Sequence, residues 1–392
     1  MFIVITTYNY KHGVNITVLI KKHIKEKMKI LLIEPYYTGS HKKWVEGYVK
    51  HSSHHIKVLS MPGQFWKWRM HGGAVTLAKM YNNMNWKPDL ILCTDMLDLT
   101  TFLSLTRAKS NNIPTVLYFH ENQISYPWSP IDRDILYKRD NHYGFINYAS
   151  ALSADKIFFN SIFHRKTFLK DLKPFLKNFP DNNELETIEE IKNKSGVLYL
   201  GLDFSNFRAK SDQKTNTPTI LWNHRWEYDK NPELFFAIMK KIKNKKINFN
   251  LIIIGESFGK SPKIFDEAKI EFDKNIIKWG YQKSVSDYID CLFMSDIMPV
   301  TSNHDFFGIS VMEAVFCNVW PILPNRLSYK ELFKNEGHAE NIYNDNNQLM
   351  KKIEYAIKNI NQIRDESLNK TAQQYDWKRL AVIYDSEFDK VA

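Results

Sequence analysis

Residues 219–243 read TILWNHRWEYDKNPELFFAIMKKIK. The run Thr219–Trp222 is short, apolar and partly β-branched, as expected of a buried strand. Pro232–Lys243 reads as a helix, and Trp222–Asn231 as the turn joining the two. Strands without polar alternation, separated by helices, build a parallel sheet covered on both faces.

The same alternation extends both ways. Downstream, Asn250–Ile254, Asn275–Lys278, Asp296–Val300 and Val319–Leu323 read as strands, with helices over Ser284–Met294 and Gly308–Asn318. Upstream, strands are expected at Lys29–Ile33, Ile56–Leu59, Leu90–Cys93, Thr115–Phe119, Lys156–Phe159 and Val197–Leu200. Amphipathic stretches such as Ile135–Leu152 and His164–Leu172 lie between them. Polar Ser205–Thr217 breaks the pattern as a linker would. Asp171–Lys194 reads as a mobile loop with a short helix, and Asn346–Ala392 as mainly helical, with Trp377, Leu380, Ile383, Tyr384 and Phe388 at helical spacing. The expectation is an α/β chain of two Rossmann-like, doubly wound parallel-sheet domains facing an interdomain cleft. Their boundaries are read as 28–207 and 218–375, with a linker over 208–217 and a last helix over 376–392. Ligands of such sheets bind beyond the carboxyl ends of the strands.

Composition narrows the class. The chain has 392 residues, 44% hydrophobic and 25% charged, so wholesale disorder and fibrous repeats are excluded. No apolar run approaches the ~18 residues of a membrane span. Stable membrane insertion is therefore not expected. The net charge of +11 favours anionic partners: nucleic acid, anionic lipid or a phosphorylated substrate. Cys93, Cys291 and Cys317 are dispersed and read as buried reduced thiols of a cytoplasmic protein. Residues 1–27 carry five Lys and one Glu and lack a secretory pattern, while MKILLIE restarts at Met28 like a natural N-terminus. They read as an upstream extension with a mis-assigned start, and the Lys21–Lys27 run as a solvated face.

Five stretches carry candidate chemistry. In WNHRWEYDKN, Arg225 and Lys230 sit where two cations could clamp a diphosphate, one as a planar fork and one as a point charge. In DFFGISVME, Asp305 precedes a glycine turn, Gly308 opens a helix and Glu313 lies within it. Free amides at Phe307, Gly308 and Ile309 suit a phosphate, and the two acids suit sugar hydroxyls. In YYTGSH, Gly39 permits close backbone approach to a ligand beside Ser40 and His41. No GxGxxG fingerprint is present, which disfavours NAD. His120, Glu121 and Asn122 follow a strand, and His120 could bond a sugar hydroxyl or shuttle a proton. Trp66, Lys67, Trp68 and Arg69 alternate aromatic and cationic side chains, as suits unpaired RNA or a membrane interface. Asp132-Arg133-Asp134 matches a DxD metal pattern but reads as a helix start after Pro130. His51, His54 and His55 have no carboxylate or cysteine partner nearby in sequence.

In their order along the chain, ILLIEPYYTGSHKKW, PGQFWKWRMHGGA, TDMLDLT, FHENQISYP, LWNHRWEYDKNPE and DFFGISVMEAV resemble the family 4 retaining glycosyltransferases of the GT-B fold. More specifically they resemble the tRNA-queuosine α-mannosyltransferase family. The resemblance runs from Met28 to the end of the Glu313 helix. It implies GDP-mannose as donor, queuosine in a tRNA anticodon as acceptor, and neither metal nor cofactor. It also implies roles for named residues. Arg225 and Lys230 match the diphosphate-binding pair, and Asp305 the first acid of a box that usually begins with Glu, facing the donor sugar. Glu313 matches the second acid, on the nucleotide ribose, and Trp279, Gly280 and Tyr281 sit where the base is held. Gly39 matches the glycine of the first-domain loop, and His120 the histidine on the donor sugar. Ser40, His41, Trp66, Lys67, Trp68, Arg69, Glu121 and Asn122 remain for the acceptor. The alternatives are a related glycosyltransferase acting on a lipid or polysaccharide precursor, and a non-catalytic tRNA- or nucleotide-binding protein.

Overall fold

The computed structural model describes residues 2–9, 15–22, 27–129, 132, 134, 141–209, 214–257, 262–333 and 341–392. Parts of three expected elements lie outside the described residues: 135–140 of the Ile135–Leu152 helix, 210–213 of the linker and 23–26 of the lysine run. So do Pro130 and Arg133. Strands β1 (Phe2–Asn9) and β2 (Asn15–Lys22) pair with each other, antiparallel, as a sheet of their own.

Two six-stranded parallel sheets carry the rest. The first is built from β3 (Lys29–Tyr37), β4 (His55–Pro62), β5 (Leu90–Thr94), β6 (Thr115–Phe119), β7 (Lys156–Phe159) and β8 (Ser195–Val197), in the order β4-β3-β5-β6-β7-β8. The second uses β9 (Thr219–Asn223), β10 (Asn250–Ile254), β11 (Ile276–Gly280), β12 (Ile297–Pro299), β13 (Trp320–Pro324) and β14 (Ile342–Tyr343), in the order β11-β10-β9-β12-β13-β14. Every residue of β5, β6, β9 and β13 is buried, because helices cover both faces. In the first half the helices include α1 (Gly39–His51), α2 (Trp66–Asn82), α3 (Leu99–Ser110), α4 (Asn141–Ser153), α5 (Ile162–Leu176) and α6 (Thr187–Asn193). In the second they include α7 (Pro232–Asn244), α8 (Ile264–Glu271), α9 (Val285–Met294) and α10 (Ile309–Phe316).

Several boundaries differ from the sequence reading, most by one to three residues, and three of the differences have a plain physical cause. The first strand runs past its apolar stretch to Tyr37, because Glu34 is satisfied inside the protein by the Tyr36 amide and His41. The edge strand β8 pairs over Ser195–Val197, so the apolar Leu198 and Leu200 are buried beyond the ladder. Asp171–Lys194 is not a loop with one short helix: α5 continues through Asp171 to Leu176, since Leu172, Phe175 and Leu176 face the core, and α6 follows.

The final helix, α11 (Trp377–Phe388), packs back on the first half. Trp44 Nε1 donates to Tyr384 Oη at 3.2 Å, and Tyr384 Oη donates to the carbonyl of Tyr199 at 2.9 Å. Asp385 accepts from Tyr48, Ser52 and Ser53. A Cβ on Gly47 or Gly201 would overlap the Trp377 ring, so both backbones close directly on it. Trp44 is fully buried in this aromatic contact, so Trp44→Ala is expected to cost about 3–5 kcal/mol. Urea denaturation of the full chain checks this.

Candidate functional site

Strand order reverses at two places, and in a doubly wound sheet that is where a crevice opens. In the second sheet the reversal lies between β9 and β12. The loops leaving these strands are His224–Asn231 and Val300–Gly308, which hold WNHRWEYDKN and DFFG. In the first sheet it lies between β3 and β5, and the loops there carry Gly39 and Asp95. The two loop sets meet. Arg225 Nη2 donates to Tyr126 Oη at 3.2 Å, Tyr228 Oη to the Pro127 carbonyl at 2.7 Å and Ser161 Oγ to the Phe306 carbonyl at 2.6 Å.

Lys230 is almost fully buried at this junction. Its Nζ lies 3.1 Å from Asp229 and 3.7 Å from Asp305, and donates to the His304 carbonyl at 2.8 Å. Burial raises the Asp305 carboxyl, but the Lys230 charge first, with the Tyr329 hydroxyl, overcomes it and holds the group ionised, below its ordinary range. Burial and the Lys230 charge push His304 down to about 4 and His224 to about 3, so both rings are neutral at pH 7. Arg225 is more open and meets Glu227 at 3.2 Å. Burial disfavours its charge, yet Tyr126, Glu227 and Asp229 more than compensate, and the guanidinium stays protonated.

Gly308 has φ +97° and caps α10 at its N-terminus. A Cβ there would lie 2.9 Å from the Tyr329 ring, so glycine is required twice over, by conformation and by space. This turn starts α10, and the first amides of a helix, which lack intrahelical partners, together with the helix dipole favour an anion. Phe307 itself points inward, against Tyr375, so only its backbone is available. One turn further, Glu313 accepts from the Tyr288 hydroxyl and lies 3.4 Å from Lys43 of α1, across the crevice. Trp279 stands edge-on to Trp226 at 5.2 Å, Gly280 is in the left-handed region with open space before it, and Tyr281 is exposed. In the first half, Gly39 is also left-handed, at φ +50°, and no atom stands within 4 Å of where its Cβ would be.

Residues 29–202 match the family model for the N-terminal region of tRNA-queuosine alpha-mannosyltransferase, and residues 203–375 match that of the group 1 glycosyl transferases. A tRNA-queuosine alpha-mannosyltransferase of Drosophila melanogaster is 32% identical over 337 residues, covering 83% of this chain and 86% of the relative. The chain belongs to this family. It is a glycosyltransferase, and its architecture is GT-B. Sucrose-phosphate synthase from Thermosynechococcus elongatus superposes with a TM-score of 0.66 at 12% identity, over 93% of this chain and 99% of that one. Anabaena HepE in complex with UDP superposes with a TM-score of 0.63 at 14% identity, over 93% and 100%.

For a glycosyltransferase of this family, the first-half residues sort sharply. His120 directly follows β6, with its ring buried against His41, Trp44 and Tyr118. Glu121 is half-exposed and takes a hydrogen bond from Gln123. Asn122, by contrast, is fully buried: it meets His164 at 2.9 Å and accepts from the amides of Ile124 and Ser125, so it shapes the turn and cannot reach an acceptor. Arg69 is likewise withdrawn, since it is buried on α2 with Nε on the Pro62 carbonyl at 3.0 Å. Trp66 packs on Trp128 and Tyr143. Lys67 is ion-paired to both Asp132, at 2.7 Å, and Asp134. Those aspartates therefore serve Lys67 rather than a helix start alone. Trp68 is 62% exposed and Ser40 is exposed, so both remain open to a partner. His41 is buried beside Glu34.

Sequence reasoning missed Tyr126, Tyr288, Lys43 and Asp95, which touch the site from separate elements. No local pattern marks them. It also found no partner for the histidines near residue 54, yet His54 lies 3.6 Å from Asp389 of the C-terminal segment. All three cysteines are buried free thiols. Among the described residues, Glu34, His41 and His120 each bring one ligand-type atom within 4.8 Å of the others. Glu34 already bonds His41, so a cation there would compete with the imidazole proton.

Gly308→Ala is expected to weaken sugar-nucleotide binding by about tenfold or more, since backbone strain and the Tyr329 contact both move the first amides of α10. Isothermal titration of the folded variant with the donor checks this.

Proposed function

We propose that the chain transfers mannose from GDP-mannose to queuosine in the anticodon of tRNA, with retention and without a metal. The observation that carries the reading is the meeting at one crevice of Arg225, buried Lys230 and the Gly308 helix start, opposite Gly39 and His120. The family relative supplies the acceptor and sugar class: the Drosophila protein is named for queuosine in tRNA and for mannose. The net charge of +11 agrees with a polyanionic acceptor. No helix among the described residues is long and apolar enough to cross a membrane. A cytoplasmic enzyme acting on tRNA is consistent with that.

The site's task is electrostatic. As the glycosidic bond to the diphosphate breaks, negative charge grows on the leaving phosphate. Arg225, Lys230 and the α10 amides meet that charge with groups already fixed in place. The leaving phosphate, on the same face of the sugar as the incoming hydroxyl, takes the hydroxyl's proton. Asp305 is held ionised by Lys230 and can accept from a donor-sugar hydroxyl. Its reach is one methylene shorter than that of a glutamate. Glu313 suits the ribose, and Trp279–Tyr281 the base. Enclosure between two domains orients both substrates and excludes water.

The test uses queuosine-containing tRNA from cells lacking the protein. Incubation with purified protein and GDP-mannose in EDTA, nucleoside digestion and mass spectrometry should show queuosine plus one hexose. Arg225→Ala should lower that yield about 100-fold or more. Intact donor binding without the hexose adduct would move the acceptor assignment to a lipid or polysaccharide precursor. Near-normal turnover by folded Arg225→Ala would sink the clamp.

A further inference from the structure

Behind Gly39 lies a cluster that the proposed function uses only in part. Glu34 is fully buried; its Oε1 accepts from the Tyr36 amide at 2.8 Å and its Oε2 lies 3.1 Å from His41 Nδ1. The His41 ring lies 4.2 Å from that of His120, centre to centre, tilted by 40°. Trp44 and Tyr118 close on His120 edge-on, at 4.8 and 4.9 Å. The His120 amide donates to Asp95 at 2.7 Å, which fixes its backbone. Both His120 ring nitrogens are buried and have no hydrogen-bond partner in the protein.

A buried imidazole with two unsatisfied nitrogens is costly unless something supplies the missing bonds. We propose that Glu34 and His41 are positioning residues for His120: their ion pair fixes the ring and leaves a nitrogen free to bond a substrate hydroxyl. The proposal rests on the glycosyltransferase reading for the identity of that hydroxyl, but not for the state of the three side chains.

Glu34, Asp95 and Glu121 face His41, with Glu34 the chief of them, since burial pushes the Asp95 carboxyl itself well above its ordinary range. Burial lowers His41, but Glu34 first, then Asp95 and Glu121, raise it to about 9. His41 thus carries a proton at neutral pH. Burial, then the neighbouring His41 and His164, hold His120 far below its ordinary value, so it stays neutral. A neutral imidazole has one donor and one acceptor nitrogen, which a hydroxyl can use. Glu34 therefore acts through His41 and touches no substrate.

The test is nitrogen NMR of the full chain with labelled histidine, with signals assigned by His41→Asn and His120→Asn, beside pH–rate profiles of transfer. In the unaltered chain His41 should remain protonated at neutral pH and lose its proton near 9, while His120 stays neutral throughout. Glu34→Gln removes the largest influence raising His41, so burial gains and the proton leaves at lower pH. The His41 titration and the alkaline limb of the rate profile should both move down by more than about one pH unit. Glu34→Asp should restore most of the shift. A neutral His41 at pH 7 in the unaltered chain, or a Glu34→Gln limb that stays put, overturns the proposal. Should Glu34→Gln fail to fold, the titration of the unaltered chain decides. Absence of any transfer to tRNA would instead count against the acceptor, leaving the NMR result to stand by itself.

Discussion

One buried ammonium organises the catalytic half. Lys230 is desolvated between Asp229, Asp305 and the His304 carbonyl. A charge withdrawn from water this far persists only with close opposite charge and hydrogen bonds. The turn after β9 and the turn after β12 must therefore converge, and Gly308 and the start of α10 follow directly on the second of them. The same field keeps Asp305 ionised and leaves His224 and His304 neutral. The meeting of the two turns and the ionisation states around them are thus consequences of one arrangement.

The two halves are joined by more than a linker. Arg225, Tyr228 and Phe306 of the second half meet Tyr126, Pro127 and Ser161 of the first at the crevice floor. On the far side, α11 returns to cover α1 through Trp377, Tyr384 and Asp385. Lys43 crosses the crevice to Glu313, at 3.4 Å.

The aromatic–basic stretch after β4 shows how a motif divides once it is folded. On α2, residues three and four apart share a face, so Trp66, Lys67, Trp68 and Arg69 cannot act as one strip. Arg69 and Trp66 turn inward, Lys67 meets two aspartates, and Trp68 alone of the four remains widely exposed.

The strand and helix alternation was legible in the chain because a strand buried on both faces must be continuously apolar. That is why the limits of Thr115–Phe119, Lys156–Phe159 and Asn250–Ile254 agree with the sequence reading residue for residue. The placement of Arg225, Lys230, Asp305 and Gly308 in the turns after β9 and β12, and of Glu313 within α10, was legible too, because a turn beyond a strand and a glycine before a helix are local patterns. Long-range partners were not. Glu34 lay just past the apolar run Lys29–Ile33, and Asn122 read as one of three polar side chains at a strand's end. Only packing decided that Glu34 is carried to His41, that Asn122 is spent on His164, and that His54 finds Asp389 from the far end of the chain. Local sequence specifies backbone conformation; burial and the partner of a buried charge depend on residues that only the fold brings near.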